Sequence, residues 1–188
     1  MAHRVCPWWM GPLLLNPLRR WTIKPEKLLG NYVREGMNVL EPGPGMGFLT
    51  LPLARLVGPQ GKVIAVDIQP KMLEKLRQRV AAAGFATRVE TRVATPDSLQ
   101  IFDLVGAIDF ALAFAMVHET PSAERFFHEV AAALRPGATL LFVEPSGHVS
   151  TEGFAAELAA AQAAGLTVDA EPKIARNYAA LLRKAATA

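Results

Sequence analysis

The sequence predicts an α/β fold in which a mostly parallel sheet carries helices on both faces. Short apolar segments alternate along the chain with segments whose apolar residues recur at helical spacing. A glycine-rich turn at 43–47 follows the first apolar segment. The chain has 188 residues, 51% hydrophobic and 20% charged, which is enough for one buried core without disulfides. We therefore expect one domain over 24–188, preceded by a Trp- and Pro-rich segment at 1–23.

The first half of the chain predicts three helices and three strands. Pro25 suits a first helical turn, Gly36 ends that helix, and Gly84 ends the third helix. One face of the third helix carries the apolar residues Met72, Leu73, Leu76 and Val80. The predicted elements are a helix over 24–35, a strand over 37–40, a helix over 48–57, a strand over 62–68, a helix over 70–83 and a strand over 88–93.

The second half continues the alternation. Thr120 is a candidate N-cap for the fourth helix, Arg135-Pro136-Gly137 reads as a turn, and Gly165 ends the fifth helix. The segment before the fourth helix is almost wholly apolar, as expected for a strand covered on both faces. The predicted elements are a strand over 107–114, a helix over 121–134, a strand over 138–143, a helix over 151–164 and strands over 166–174 and 178–183.

Charge and cysteine usage limit the partners and the compartment. The net charge is only +3 and the basic residues are scattered, with no run of five, which argues against a nucleic-acid partner. The single cysteine, Cys6, excludes an intramolecular disulfide and fits a reducing, cytoplasmic compartment. Prolines interrupt the apolar N-terminus, and no stretch reaches the ~18 residues of a membrane span. We expect a soluble protein without a membrane partner.

Residues 41–47 and Asp67 predict a nucleoside site. Gly43, Gly45 and Gly47 let the backbone leave a strand sharply and approach a ligand. Asp67, about twenty residues later at the next strand end, can accept hydrogen bonds from ribose hydroxyls. Glu41 would repel a pyrophosphate but attract the ammonium of a methionine moiety, which favours S-adenosylmethionine over a dinucleotide. The alternative is that the glycines only make a tight turn and Asp67 only caps the next helix.

Four segments together resemble the motifs of class I S-adenosylmethionine-dependent methyltransferases. Residues 39–47, Val-Leu-Glu-Pro-Gly-Pro-Gly-Met-Gly, resemble the first motif, and 63–67, Val-Ile-Ala-Val-Asp, the second. Residues 109–114 and 134–137 resemble the fourth-strand motif and the turn before the fifth strand. The resemblance covers roughly 25–185. It implies a Rossmann-like sheet of seven strands in the order 3-2-1-4-5-7-6, with strand 7 antiparallel, and S-adenosylmethionine as the cofactor.

The resemblance also implies roles for individual residues. Glu41 would lie near the methionine amino group, Asp67 would bind ribose and Ile68 would flank adenine. Ala94-Thr95 stands where the family often has Gly-Asp, so Asp97 or the backbone near Ser98 and Leu99 would contact adenine instead. The implied cofactor residues are Glu41, Gly43, Gly45, Met46, Gly47, Asp67, Ile68, Asp97, Ser98 and Phe114.

The methyl acceptor is predicted to be a small molecule. His118 resembles a histidine that many family members carry after strand four, and it could accept a proton; the alternative is a structural histidine bonded to backbone. Residues 115–118, Ala-Met-Val-His, replace the Asn/Asp-Pro-Pro-Tyr/Phe of enzymes that methylate base amino groups. Cys6 precedes the domain, which argues against an RNA cytosine C5 enzyme. A protein acceptor stays open.

The sequence also offers other candidate residues in the loops and leaves other functions open. Glu119, Glu144 and His148 could orient substrate, or could cap helices and face solvent. Trp8 and Trp9 could cover the acceptor pocket, pack simply, or form a dimer contact, so a monomer or a homodimer is expected. No compact ligand spacing indicates a metal. The alternative functions are a nicotinamide-dependent reductase, for which no Tyr-x-x-x-Lys is found, and a non-catalytic nucleotide-binding protein.

Overall fold

The computed structural model describes residues 23–186. The predictions that concern Cys6, Trp8 and Trp9, including the lid, lie outside the described residues.

Five helices and seven strands are assigned within the described residues. The helices are α1 (Pro25–Leu29), α2 (Thr50–Leu56), α3 (Pro70–Ala82), α4 (Ala123–Ala133) and α5 (Thr151–Ala163). The strands are β1 (Asn38–Pro42), β2 (Lys62–Asp67), β3 (Val89–Val93), β4 (Ile108–Phe114), β5 (Leu134–Pro145), β6 (Leu166–Ala170) and β7 (Asn177–Lys184). Single 3₁₀ turns cover Phe102–Leu104 and Val117–Glu119.

The seven strands form one sheet in the order β3-β2-β1-β4-β5-β7-β6. The pairs β1–β2, β2–β3 and β4–β5 are parallel, whereas β7 is antiparallel to both β5 and β6. Helices flank the sheet. The predicted fold class, strand order and antiparallel seventh strand are confirmed.

The described chain divides into two units, one up to Ala94 and one from Thr95 onward. In the first unit, Leu73, Leu76 and Val80 of α3 pack against Ala65 of β2 in a buried cluster, as the predicted apolar face requires. In the second unit, the rings of Phe127 on α4 and Phe142 on β5 meet edge to face at 5.3 Å. Each unit thus has its own buried core.

The first helix is shorter than predicted. Lys24 has φ 45°, so the helix begins only at Pro25. After Leu29 the spacing of the backbone bonds is mixed: Tyr32 N and Val33 N both donate to Leu29 O at 2.9 Å, over three and four residues. The Arg34 guanidinium donates to Gly30 O at 2.8 Å and caps the end of the turn. Tertiary packing and this cap end the helix before 35.

Three predicted boundaries in the second unit are corrected. Ser122, not Thr120, caps α4: its hydroxyl accepts from Arg125 N at 3.1 Å, while Thr120 donates to Val117 O. The predicted turn at 135–137 lies within β5, where the pairing with β4 shifts register. β6 ends at Ala170 because Pro172 follows and has no N–H for the ladder.

Candidate functional site

Glu41, near the end of β1, is a buried carboxyl with an unpaired oxygen. The residue is 3% exposed, and Oε2 has no hydrogen-bond partner among the described residues. Burial raises the pKa of Glu41 to about 8, helped by the charge of Asp67 and opposed by the nearby Thr50 hydroxyl. Thr50 Oγ1 is itself unpaired, so its contact with the carboxyl falls short of a good hydrogen bond. A buried oxygen in this state is suited to a cationic or hydrogen-bond-donating ligand.

The glycine turn follows directly. Gly43, Gly45 and Gly47 have φ of 66°, 53° and 87°, the left-handed region that side chains with a Cβ rarely adopt. Gly43 N donates to Val66 O of β2 at 2.8 Å, which ties the start of the turn to the sheet. The sequence therefore needs glycine here for backbone conformation.

Helix α3 supports the far end of this turn. A Cβ at Gly47 would stand 2.5 Å from Leu76 Cδ1, so the third glycine faces the helix. The partly buried Arg79 guanidinium donates to Met46 O. The Met46 side chain is 6% exposed and belongs to the core. Sequence reasoning missed Arg79 because its partner lies 33 positions away.

Asp67 ends β2 and is 9% exposed. Its Oδ1 accepts from Gln69 N at 2.8 Å, a turn bond that orders the chain just before α3. The N-cap of α3 is Gln69 and it makes no side-chain cap bond, so the helix-capping alternative is not met by Asp67 itself. A carboxylate offers about four lone-pair sites, so this turn bond and ribose binding are compatible at one residue. Ile68, next in the chain, is half-buried.

The loop after β3 is fixed to α4 by two side chains one helical turn apart. Arg125 Nη1 lies 2.9 Å from Asp97 Oδ1, and the Asp97 side chain is 80% exposed. Glu129 Oε2 accepts from Leu99 N at 2.7 Å and from Ser98 Oγ at 3.3 Å. The groups predicted to contact adenine are thus held by α4, a role that the sequence did not indicate. Their contact with adenine stays a prediction, as does that of Phe114, which is 9% exposed at the end of β4.

His118 and Glu144 form a hydrogen-bonded pair in the second unit. Ala115, with φ 58°, turns the chain out of β4 into the 3₁₀ turn that carries His118. His118 Nδ1 lies 2.5 Å from Glu144 Oε2. Glu144 is fully buried, and its Oε1 also accepts from Val117 N at 2.7 Å and from His118 N at 3.2 Å. The hydrogen bond to Glu144 raises the pKa of His118, against the effect of burial.

Two further groups are coupled to this pair, Glu157 by charge and His148 by a ring contact. Glu157 on α5 is half-buried, and burial followed by the charge of Glu144 raises its pKa to about 7. Its Oε2 is enclosed and has no hydrogen-bond partner in the described part of the chain. The exposed His148 ring meets the His118 ring edge to face, with centroids 5.8 Å apart.

The sequence predicted His118 as a proton acceptor, which stays a prediction, and proposed that Glu144 orients substrate, caps a helix or faces solvent. The geometry gives Glu144 a different task, since both of its oxygens hold the His118 turn. Glu157 was missed. Its position three and four residues before the buried Ala160 and Ala161 places it on the inner face of α5, which is the signal that could have found it.

Residues 23–186 lack two features, a metal-ligand cluster and a membrane-spanning helix. Within that range no group of three or more His, Cys, Asp or Glu side chains is placed to hold a metal ion. No helix in the same range has the length and apolar character to cross a bilayer.

Comparison with known sequences gives one family and several relatives. A family model described as a methyltransferase domain matches residues 39–137, more than half of the 188 residues. A ubiquinone/menaquinone biosynthesis C-methyltransferase UbiE from Hahella chejuensis is 34% identical over 116 residues, covering 60% of this chain and 44% of that protein. An arsenite methyltransferase from Halobacterium salinarum is 35% identical over 102 residues, covering 54% and 25%. The chain thus spans less than half the length of these two relatives.

Comparison with solved structures supports the fold. The crystal structure of a SAM dependent methyltransferase from Aquifex aeolicus superposes with a TM-score of 0.85 at 24% identity. The match covers 95% of this chain and 99% of that chain.

Proposed function

Because the chain belongs to the class I S-adenosylmethionine-dependent methyltransferases, with S-adenosylmethionine as cofactor, we propose that it methylates a small molecule bound at the His118–Glu144 pair. Binding of the methyl donor is supported by one observation above all. The buried carboxyl oxygen of Glu41, beside the glycine turn, has no hydrogen-bond partner among the described residues. The relatives' names refer to quinone biosynthesis and to arsenite, which supports a small acceptor.

The residues of the first unit fit this cofactor. Glu41 would hold the methionine ammonium. This cation would supply the partner that its buried carboxyl oxygen lacks among the described residues. The turn at 43–47 would let the backbone approach the ligand, and Asp67 would accept from ribose hydroxyls. When bound, S-adenosylmethionine supplies an electrophilic methyl group on a sulfonium.

The His118–Glu144 pair can receive the proton of an acceptor. Two backbone N–H groups and the imidazole Nδ1 all point at the Glu144 carboxyl, an arrangement of donors that favours the Nδ1–H tautomer of His118. That tautomer places the basic lone pair on Nε2. An acceptor O–H or N–H would pass its proton to Nε2 while the heteroatom bonds to the methyl carbon and the carbon–sulfur bond breaks.

A transfer assay with a histidine variant tests this proposal. Tritiated S-adenosylmethionine is incubated with the chain and with phenols, quinols, amines and arsenite, and in separate arms with RNA and with a protein mixture. We expect label in a small-molecule arm, and a loss of roughly 100-fold or more in kcat for His118→Ala with unchanged cofactor Kd. The exposed His128 on α4 provides the control, His128→Ala. Label only in the RNA or protein arm, or full activity of His118→Ala, would contradict the proposal.

We retain the lid as a second part of the proposal. Deletion of residues 1–12 should spare cofactor affinity and impair methyl transfer, because the reacting sulfonium needs a water-free pocket. Light scattering of the full chain and the deletion distinguishes a lid from a dimer contact of Trp8 and Trp9. A deletion that dissociates a dimer, or that leaves transfer unchanged, would contradict the lid.

A further inference from the structure

Glu129 on α4 is a half-buried carboxyl that the proposed mechanism does not use. Its Oε2 accepts from Leu99 N at 2.7 Å and from Ser98 Oγ at 3.3 Å, in the loop that follows β3. The first distance is at the short end for an N–H···O bond. The carboxyl thus fixes the main chain of a loop that lies 30 positions earlier in the sequence.

The loop that Glu129 holds has a conformation that its own residues do not favour. Gln100 has φ 57°, in the left-handed region that a residue with a Cβ rarely adopts. Its N–H donates to Ser98 Oγ at 3.0 Å, and Thr95 N donates to Ser98 O at 2.9 Å. Ser98 Oγ in turn donates to Glu129, so a chain of hydrogen bonds runs from α4 to the strained residue. Strained backbone persists where the surrounding structure holds it, and such residues cluster at ligand sites.

The same contacts limit which groups of the loop can meet a base. The sequence offered the Asp97 carboxylate and the backbone near Ser98 and Leu99 as contacts for adenine. Leu99 N has a single proton, and Glu129 accepts it. The Asp97 side chain is 80% exposed, and although its Oδ1 accepts from Arg125 Nη1 at 2.9 Å, a carboxylate has about four acceptor sites. Of these candidates, Asp97 is therefore left to accept from the exocyclic amino group of adenine.

We propose that Glu129 is a positioning residue: by holding Ser98 and Leu99 it places Asp97 for the amino group of adenine, and so sets the preference of the cofactor site for adenine over a base that lacks this group. Glu129 acts through the loop and not by contact with the ligand. This inference rests on the proposed function through its cofactor, S-adenosylmethionine.

The test compares two ligands by calorimetric titration of the full chain. One is S-adenosylhomocysteine, and the other is S-inosylhomocysteine, in which a carbonyl oxygen replaces the amino group of adenine. The ratio of the two Kd values measures recognition of that edge of the base, whereas a general loosening of the site would weaken both ligands together. The wild-type chain should bind S-adenosylhomocysteine at least about tenfold more tightly, because the carbonyl would leave the Asp97 carboxylate facing another acceptor. Equal affinities would overturn the inference.

Variants of Glu129 then test its part in this preference. Glu129→Ala removes the acceptor of Leu99 N and should lower the ratio at least about fivefold, with a smaller change in the Kd for S-inosylhomocysteine. Glu129→Gln keeps a side-chain oxygen that can accept from Leu99 N and should retain most of the ratio. Glu124→Ala removes an exposed carboxyl of the same helix, bonded to Ser122, and should leave the ratio unchanged. An unchanged ratio in folded Glu129→Ala, an equal loss for both ligands, or the same drop in Glu124→Ala would overturn the inference.

A shorter carboxylate keeps the inference testable if Glu129→Ala does not fold. Glu129→Asp shortens the side chain by one methylene, so the loop has to move to keep the bond to Leu99 N. A reduced ratio in Glu129→Asp would support the inference, and an unchanged ratio would overturn it.

The titrations need no methyl acceptor, so they separate this inference from the proposed function. Methyl transfer to a small molecule together with an unchanged ratio in Glu129→Ala would overturn the role of Glu129 alone. A reduced ratio in a chain that labels no small molecule would support that role and overturn the proposed acceptor.

Discussion

At the scale of single residues, the proposed role of Glu41 predicts that cofactor binding depends on pH. The apo protein holds this carboxyl largely protonated at neutral pH, because burial raises its pKa to about 8 from an ordinary 4.5. A raised acid pKa means that the folded state retains its proton longer than the unfolded state, so the apo protein loses stability as the pH rises from about 4.5 to about 8. A bound ammonium would reverse this preference, since it favours the ionised carboxylate.

We therefore predict that cofactor binding releases a proton from Glu41. Calorimetric titration of S-adenosylhomocysteine at pH 7 in two buffers of different ionisation enthalpy should show about one proton released per ligand, and the Kd should weaken up to about tenfold per pH unit below pH 8. Glu41→Gln should lose affinity and this pH dependence, yet be more stable than wild type at pH 9 without ligand. Glu35→Gln, at an exposed carboxyl, is the control. A Kd independent of pH would contradict the role of Glu41.

One substitution can separate the observed turn bond of Asp67 from its proposed contact with ribose. Asparagine keeps an oxygen that can accept from Gln69 N, so Asp67→Asn should change the melting temperature little. It removes the charge proposed to hold the ribose, so affinity for S-adenosylhomocysteine should fall by roughly 1 to 2 kcal/mol. The measurement is calorimetric titration beside a thermal melt. Wild-type affinity in a folded Asp67→Asn would leave Asp67 with only its turn bond to Gln69 N.

At the scale of elements, α3 is the support of the glycine turn. Leu76 fills the space that a side chain at position 47 would need, and Arg79 donates to Met46 O within the turn. Arg79→Ala should loosen the turn and weaken cofactor binding by about tenfold, because a charged donor to a partly buried carbonyl is lost. Arg77→Ala removes an exposed arginine of the same helix, bonded to Thr91, and should leave the affinity unchanged. Equal effects of the two variants would show a general change of helix α3 instead.

The order and type of the elements could be predicted because they depend on local patterns. The face of Met72, Leu73, Leu76 and Val80 and the glycine turn are both readable within a few residues. Element ends were less readable: the cap at Ser122 and the end of β6 at Ala170 depend on which hydrogen bonds the neighbouring strands and turns leave available.

The partners within the candidate site were the least predictable part. Met46 and Arg79 are 33 positions apart, Leu99 and Glu129 are 30 apart, and His118 and Glu144 are 26 apart. No local spacing brings such residues together, since the sheet order and the helix packing decide which side chains meet. Residue types at strand ends could be predicted as candidates, and their roles required the tertiary structure.

At the scale of the whole molecule, the family and the strand order agree on one ligand class. The methyltransferase-domain match at 39–137 includes Glu41, the glycine turn, Asp67 and His118, so the residues proposed to bind the methyl donor and to accept the proton lie inside it. The two named relatives extend well beyond the matched region, and their acceptors reach this chain only as a proposal. The proposed roles of the site residues therefore all depend on S-adenosylmethionine being the cofactor that this chain binds.

Calorimetric titration of the full chain with S-adenosylhomocysteine and, separately, with a nicotinamide dinucleotide tests that choice most directly. We predict saturable binding of S-adenosylhomocysteine at one site per chain, abolished in Gly45→Val because a branched side chain at φ 53° is strained and would occupy the ligand's space. Circular dichroism confirms that the variant is folded. Tighter binding of the dinucleotide, or no binding of S-adenosylhomocysteine by the folded wild-type chain, would contradict the account.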